Sequence, residues 1–352
     1  MLHVEPQQGR FESQLELMQQ AYSLLLKEYS QAQVVMRRYF LSDIANQAPI
    51  LQERLKDEQR ADGALSVIGQ PPLDRSKLAL WVYLTEGLNV TSSPDCTITE
   101  HNGYHHYWTT NWQSTNGGSH SQTREILENY EAHLGQNGLT LADDCLRTWF
   151  FIRDVDTNYK GMVEARCNNF TMQRLTPDTH YIASTGIGGQ PITRQSRVQM
   201  DAFAAKGLKN GQQQYLYAPT HLNPTYQYGV TFERGTVIHY GDRSHLLISG
   251  TASINNRGEV VHLGDVEAQA ARMLENIETL LREGGAQLQD IAQAIIYLRD
   301  LADYDVVKQI FDNRLPLMPR VITLAPVCRP SWLIEMECIA MVPHTDTRYN
   351  NL

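Results

Sequence analysis

The chain has 352 residues of ordinary globular composition, with 42% hydrophobic and 20% charged residues, and a formal net charge of −9 at pH 7. Its apolar runs are far shorter than the roughly 20 residues that a membrane-spanning helix needs. An acidic chain without a Lys/Arg cluster offers no basic surface to nucleic-acid phosphates. We therefore expect no membrane and no nucleic-acid partner, and a small molecule instead.

The length predicts about two or three structural units of roughly 100 to 150 residues each. The first residues, MLHVEPQQGRFESQ, lack the basic start and apolar core of a secretory signal, which predicts a cytoplasmic location. The five cysteines are an odd, scattered set without a CxxC motif, so no disulfide framework is indicated. The segment HNGYHHYW (101–108) contains three histidines but precedes a strand, and we predict no metal site.

A strand signature occurs three times along the chain. YFLSDI (39–44), FFIRDV (150–155) and IYLRDL (296–301) each place an Asp between an apolar strand and the next helix. Asp is a preferred helix-capping residue, so each of these Asp residues is predicted to cap a helix. Repeated signatures of this kind indicate related structural units.

Amphipathic helices precede the three signatures, and apolar strands close each unit. The helices are predicted at 16–29, 122–134 and 267–281, and the closing strands at 75–84, 195–204 and 330–340. Strands at 106–114 and 244–254 open the second and third units, whereas the first lacks its opening hairpin. We predict an α+β fold of mixed sheets with helices on one face. The units are placed at 1–90, 104–205 and 215–345, with connections at 86–103 and 204–222.

The closing strand of the third unit holds two carboxylates, Glu335 and Glu337, among apolar residues. Side chains alternate along a strand, so both project from the same face. Burial of a carboxylate is unfavourable, so the group either has a shifted pKa or pairs with another group. The strand is therefore either a sheet surface in solvent or part of a site.

The third unit resembles the RidA (YjgF) family over roughly residues 223–343. The resemblance rests on YQYGV (226–230), LLISGTASI (246–254), HLGDVEAQAARMLENIETLLREGG (262–285), IIYLRDLADYDVV (295–307) and PRVITLAPVCRPSWLIEMECIA (319–340). The resemblance implies that the units have a chorismate mutase-like fold. Proteins of this family are trimers with active sites between subunits, and they hydrolyse enamines or imines derived from amino acids. Three units in one chain would form a pseudo-trimer, with further self-association possible.

A longer stretch, about residues 100–340, is similar to the chorismatases, single-chain enzymes built from RidA-like modules. The matching segments are 147–166, 183–190, 228–235, 249–269 and 328–337. The first unit lies outside this resemblance. Neither resemblance implies a metal or an organic cofactor, because a bound water and a carboxylate suffice for the chemistry.

Both resemblances imply that Glu335 positions water or transfers a proton, which a partly desolvated carboxylate can do near neutral pH. Arg320, fifteen residues earlier, matches the RidA arginine, and its planar guanidinium suits a substrate carboxylate. A surface arginine is the alternative for Arg320, and a solvated sheet edge is the alternative for Glu335. We expect one working site per chain, because the other units lack this Arg-and-Glu spacing.

Further site residues follow from the two resemblances. Tyr226 matches the RidA site tyrosine and Tyr228 the chorismatase one, so the two disagree on which ring faces the ligand. Ser249 and Gly250 match a strand whose backbone approaches the substrate, where glycine permits close contact. Core packing is the alternative for either tyrosine.

Three residues belong mainly to the chorismatase resemblance. Cys328 would help to select the product, and a thiol there is nucleophilic only if its pKa is lowered. Arg147 and Arg234 would contact the two carboxylates of chorismate. The sequence thus leaves three hypotheses: an enamine or imine hydrolase, a chorismatase-like enzyme acting on chorismate, and a non-catalytic binder of small carboxylates.

Overall fold

The computed structural model describes residues 1–4, 9–56 and 62–352 and confirms the predicted α+β class. In the first segment the elements are β1 (Leu2–His3), α1 (Phe11–Glu28), β2 (Gln33–Leu41), α2 (Ile44–Lys56), β3 (Ala64–Gly69) and β4 (Leu78–Thr85). No helix within the described residues is both long enough and apolar enough to cross a membrane.

The second and third segments each contain a longer series of strands. The second has β5 (Asn89–Ser93), β6 (Cys96–His101), β7 (Tyr104–Gln113), α3 (Ser119–Gln136), α4 (Leu141–Asp144), β8 (Cys145–Ile152), α5 (Val155–Met172), β9 (Ala183–Gly188), β10 (Gln190–Pro191) and β11 (Val198–Lys206). The third has β12 (Gln213–Leu216), β13 (Gly235–His239), β14 (Arg243–Ala252), α6 (Val266–Glu283), β15 (Ile291–Leu298), α7 (Tyr304–Arg314), β16 (Arg320–Leu324) and β17 (Ile334–Pro343).

The described strands form three mixed sheets. Their strand orders are β1-β4-β2-β3-β10, β5-β6-β7-β11-β8-β9 and β12-β13-β14-β17-β15-β16. In each sheet one parallel pair is joined by a helix: β2 and β3 by α2, β8 and β9 by α5, and β15 and β16 by α7. The closing strands β4, β11 and β17 run antiparallel to β2, β8 and β15. The repeated pattern of the sequence is therefore a repeated topology.

Each sheet contacts the other two. Strand β3 packs near β7, and β9 packs near β14. A bridge between Pro72 and Thr323 joins the first sheet to the third, and Leu73 N donates a hydrogen bond to Ile322 O. The faces between sheets are thus interior surfaces, and polar residues on them are shielded from water.

Helix α6 illustrates how sequence sets these elements. Asp265 caps its first turn by accepting a hydrogen bond from Ala268 N at 2.9 Å, and the helix ends at Gly284. Leu274, Ile277 and Leu281 recur at three- and four-residue steps and are buried, as the amphipathic pattern predicts. The predicted helices of all three segments are present, each slightly longer than its predicted range.

Three expectations are wrong. Residues 86–103 are not a plain connection but contain β5 and β6, in which β-branched residues such as Thr97 and Ile98 favour a hairpin over a loop. Likewise, 204–222 contains β12. Asp43 and Asp300 accept hydrogen bonds at helix starts as predicted. The Asp154 side chain makes no capping hydrogen bond. Its backbone is left-handed, with φ of 47°, whereas a helix-capping residue is normally extended.

Candidate functional site

A cavity of about 390 Å³ lies between the second and third sheets. Its second-segment wall comes from α5 and β9, and its other wall from the third segment. The lining residues include Tyr159, Arg166, Ser184, Thr185, Tyr228, Phe232, Arg234, Gly250, Cys328, Arg329, Trp332 and Glu335. Five residues predicted from the sequence therefore meet in one place: Glu335, Cys328, Tyr228, Arg234 and Gly250.

Glu335 extends from β17 into this cavity and is only 5% exposed. Within the described residues its carboxyl group makes neither a hydrogen bond nor an ion pair. It lies against Gly250, where a Cβ atom would collide with Glu335 Oε1. Glycine at this position therefore makes room for the carboxyl group.

Burial raises the pKa of Glu335 to about 8, and the nearby negative charge of Glu337 adds to this effect, while Arg147 and Arg234 oppose it. Glu335 is therefore largely protonated at neutral pH. A carboxyl group in this state can donate a proton to a bound molecule.

Glu337 lies behind Glu335 and has a structural partner. Arg147 Nη2 donates to Glu337 Oε2 at 2.7 Å, and Trp149 Nε1 donates to Glu337 Oε1 at 2.9 Å. Both members of the ion pair are 2% exposed. Arg147 also donates to Thr185 Oγ1 at 2.6 Å and does not line the cavity. The structure therefore places Arg147 beneath the site, against Glu337, and not in contact with a ligand.

Ser249 also lies behind the cavity wall. Its hydroxyl donates to Glu233 O at 2.6 Å and accepts a hydrogen bond from Ser184 N at 2.9 Å. The bond from Ser184 links β9 to β14 across the sheet boundary, and the bond to Glu233 reaches the segment just before β13. Ser249 thus holds the two walls together, while its neighbour Gly250 faces the cavity.

Three arginines line the cavity, and none has an acidic partner within the described residues. Arg166 is 1% exposed, donates to Thr231 Oγ1 and to Ser184 Oγ at 3.3 Å each, and has no partner for Nη2. An unpaired buried cation is unfavourable unless a bound anion compensates it. The arrangement of Arg166 therefore favours an anionic ligand.

The other two arginines stack on aromatic rings. The guanidinium carbon of Arg234 lies 5.3 Å from the Tyr228 ring centre, and that of Arg329 lies 4.8 Å from the same ring. Arg234 Nη2 donates to Asn223 O at 3.0 Å. Stacking fixes the orientation of both guanidinium groups and leaves donors available to a ligand.

The sequence did not single out Arg166 or Tyr159. A usable signal was present, because Arg166 occupies the buried stripe of α5 with Val155, Met162 and Phe170. A charged residue at an apolar stripe position indicates either a buried ion pair or a site. Which of the two applies depends on how the second sheet packs against the third.

Tyr226 and Tyr228 both lie in the 3-10 turn Thr225–Tyr228. Tyr228 lines the cavity that holds Glu335, whereas Tyr226 lines a neighbouring cavity and is 46% exposed. Residues two apart in a 3-10 turn point in different directions, because such a turn has three residues per turn. The structure thus brings Tyr228, and not Tyr226, to Glu335.

Arg320 lies away from this cavity. It pairs with Asp312 and donates to Leu315 O at 3.0 Å and to Met318 O at 3.2 Å, at the start of the edge strand β16. Its side chain therefore fastens the end of α7. The expected meeting of Arg320 with Glu335 in one cavity is not observed.

Cys328 lines the cavity, but burial raises the pKa of its thiol to about 12, and the nearby Glu335 adds to this effect. The lowered pKa that a nucleophilic thiol requires is absent. Cys328 is therefore a neutral group beside Glu335. The described residues contain no group of three or more His, Cys, Asp or Glu residues placed to hold a metal ion.

The matching positions of the other sheets lack the carboxyl group. Glu335 pairs with Tyr297, three residues before Asp300. In the second sheet the residue three before Asp154 is Phe151, and it pairs with Gln199. In the first sheet the residue three before Asp43 is Phe40, and it pairs with Ala79. Gln199 and Ala79 thus stand where the third sheet has Glu335.

The third segment, which supplies Glu335, has recognisable sequence relatives, and they show that the chain belongs to the endoribonuclease L-PSP family. The family described as Endoribonuclease L-PSP matches residues 236–342. A 3-aminoacrylate deaminase, RutC, from Acinetobacter baylyi is 33% identical over 97 residues, which are 27% of this chain and 77% of the relative. A RutC family protein from Pyrococcus abyssi is 33% identical over 98 residues, 27% of this chain and 76% of that protein.

A wider likeness comes from a solved chorismatase structure. It superposes with a TM-score of 0.66 at 19% sequence identity and covers 88% of this chain and 93% of that chain. At this identity the likeness establishes a shared fold. The fold thus extends over most of the chain, while the family match at sequence level concerns the third segment.

Proposed function

We propose that the cavity binds a small dicarboxylate and that Glu335 protonates an electron-rich double bond in it, as in a chorismatase. One observation carries the proposal: a carboxyl group with a raised pKa lies among arginines for which the described part of the chain supplies no acidic partner. The arginines would bind carboxylates through charge-assisted hydrogen bonds. Chorismate has two carboxylates and an enol ether, which a proton donor activates.

The proposed reaction begins with transfer of the Glu335 proton to the terminal carbon of the enol ether. The resulting oxocarbenium ion takes up water, and the Glu335 carboxylate accepts the proton released. The hemiketal then collapses to pyruvate and a dihydrodiol. Loss of water from the ring product would give a hydroxybenzoate. Cys328, a neutral thiol beside Glu335, is suited to influence which product forms by its size, not by nucleophilic attack.

A second candidate is hydrolysis of an enamine, supported by the 33% identity to a 3-aminoacrylate deaminase. Here Glu335 would protonate the enamine carbon, water would add to the iminium ion, and ammonia would leave. The position of Arg320 beside Asp312 weighs against its role as carboxylate anchor in this reaction. Arg166 and Arg234 would take that role instead.

We further propose that the three segments, 1–90, 104–205 and 215–345, imitate one trimer within a single chain. Each sheet contacts both others, which supports this arrangement. Because Gln199 and Ala79 replace the carboxyl group at the matching positions, a single working site is expected.

The test is to incubate the purified protein separately with chorismate, 2-aminoacrylate generated in situ and 3-aminoacrylate, and to identify products by chromatography. A hydroxybenzoate or dihydrodiol with pyruvate supports the first candidate, and accelerated ammonia release supports the second. Glu335→Gln should lower either turnover by about 10²- to 10⁴-fold, the usual contribution of a general acid. Binding without turnover of any of the three compounds would leave a non-catalytic binder of small carboxylates as the better account.

A further inference from the structure

A second cavity, of about 460 Å³, lies beside the first, and Arg234 lines both. Its walls are mainly aromatic and apolar. They include three tyrosines and three prolines: Tyr181, Tyr217, Tyr226, Pro177, Pro219 and Pro224. Tyr217 is 48% exposed and Tyr226 46%, so two large rings stand at its rim in contact with water.

This cavity is lined by one acidic side chain beside the shared Arg234. Glu233 is the carboxylate that lines it, and the residue is only 8% exposed. Its Oε1 accepts a hydrogen bond from Tyr181 N at 2.7 Å, and within the described residues the carboxylate has no ion pair. Burial raises the pKa of Glu233, while the hydrogen bond from Tyr181 and the charges of His180 and Arg234 oppose this effect. A bound cation would favour the ionised carboxylate further.

Arg234 does not fill this role. Its Nε and Nη2 donate to Asn223 O, and its guanidinium carbon lies 5.3 Å from the ring of Tyr228, which lines the first cavity. The guanidinium is therefore held in the wall between the cavities. The Glu233 carboxylate remains available on its own side of that wall.

We propose that the second cavity is a binding site for a small organic ammonium ion. The cationic head would lie against Glu233, and its carbon substituents would contact the tyrosine rings and the prolines. Aromatic faces attract cations through the ring quadrupole, and the attraction increases when water is excluded. The inference does not depend on the reaction proposed for the first cavity, because it uses a separate charged group.

The experiment is a calorimetric titration of the full chain with choline and with 3,3-dimethylbutan-1-ol, a neutral molecule of the same shape. Choline should bind saturably with one site, and the neutral molecule should bind at least about tenfold more weakly, because only choline has a charge for Glu233. Glu233→Gln should weaken choline binding by about tenfold or more without changing the affinity for the alcohol.

Tyr217→Ala provides a second variant at the rim, where the exposed ring contributes little to folding. It should weaken choline binding by a few fold, about the contribution of one exposed cation–π contact. Tyr29→Ala removes a ring that is 45% exposed, in the first segment, and should leave choline binding unchanged. No saturable choline binding up to about 10 mM, equal affinity for the two probes, or equal choline binding by the native chain and a folded Glu233→Gln variant would each overturn the proposal.

Discussion

The strongest physical prediction concerns the pH dependence of stability, because it follows from the burial of Glu335 and requires no substrate. Folding raises the pKa of Glu335 from 4.5 to about 8. Between these values the folded protein holds a proton that the unfolded chain has lost. The contribution of Glu335 to the free energy of unfolding therefore decreases as pH rises, by about 1.4 kcal/mol per pH unit.

Glu335→Gln removes this titration, because an amide fills a similar space and has no charge. Relative to the variant, the native protein should lose about 3 to 4 kcal/mol of unfolding free energy between pH 5 and pH 8. Urea unfolding at pH 5, 6.5 and 8, followed by tryptophan fluorescence, measures this difference. All other titrating groups are shared by the two proteins and cancel in the comparison.

Glu164→Gln is the matched control, since Glu164 lies at the exposed edge of the same cavity and, among the described residues, forms one ion pair, with Lys160 at 3.8 Å. Its difference from the native protein should stay within about 0.5 kcal/mol at all three pH values. A difference between the native protein and Glu335→Gln that does not change with pH would refute the reasoning. Glu335 would then be ionised at neutral pH and unable to act as an acid.

Four further outcomes are expected. Arg166→Gln should weaken binding of a dicarboxylate by about 10- to 100-fold in a calorimetric titration without lowering the unfolding midpoint, because the cation has no acidic partner to lose. Arg147→Gln should instead cost about 3 to 5 kcal/mol of stability in urea unfolding, since it leaves Glu337 buried and unpaired. Gly250→Ala should abolish turnover in a product assay, because the added Cβ takes the space of the Glu335 carboxyl group. Arg320→Ala should leave turnover within about twofold and lower the unfolding midpoint, because the side chain pairs with Asp312. Equal effects of Arg166→Gln and Arg147→Gln on binding and stability, or full activity of Gly250→Ala, would contradict the account of the site.

The local patterns of the sequence predicted most of the fold. The repeated aromatic-aliphatic strand followed by Asp identified β2, β8 and β15, and these strands lie at matching places in three sheets. The polar hairpin of β5 and β6 was missed, because Gly, Ser, Asn and Pro residues in 86–103 resemble a loop in composition. Edge hairpins of this kind bury little apolar area, so their sequence pattern is weak.

The candidate site was predictable where it lies within the third segment. Glu335, Cys328, Tyr228 and Gly250 come from neighbouring strands and turns of one segment. The pattern of the closing strand drew attention to Glu335, and the two family resemblances pointed to all four residues. Arg166 reaches the cavity only because α5 packs across a boundary between sheets, which no local pattern specifies. The fifteen-residue spacing between Arg320 and Glu335 does not determine where the Arg320 side chain points. In the structure that side chain pairs with Asp312.

The central claim is that Glu335 donates a proton to a bound, electron-rich double bond. The most direct measurement is to supply chorismate in D₂O and follow the pyruvate released by the native protein and by Glu335→Gln with mass spectrometry. The account predicts pyruvate with one deuterium in its methyl group, formed at least about 100-fold more slowly by the variant. Pyruvate formed equally fast by a folded Glu335→Gln variant would contradict it.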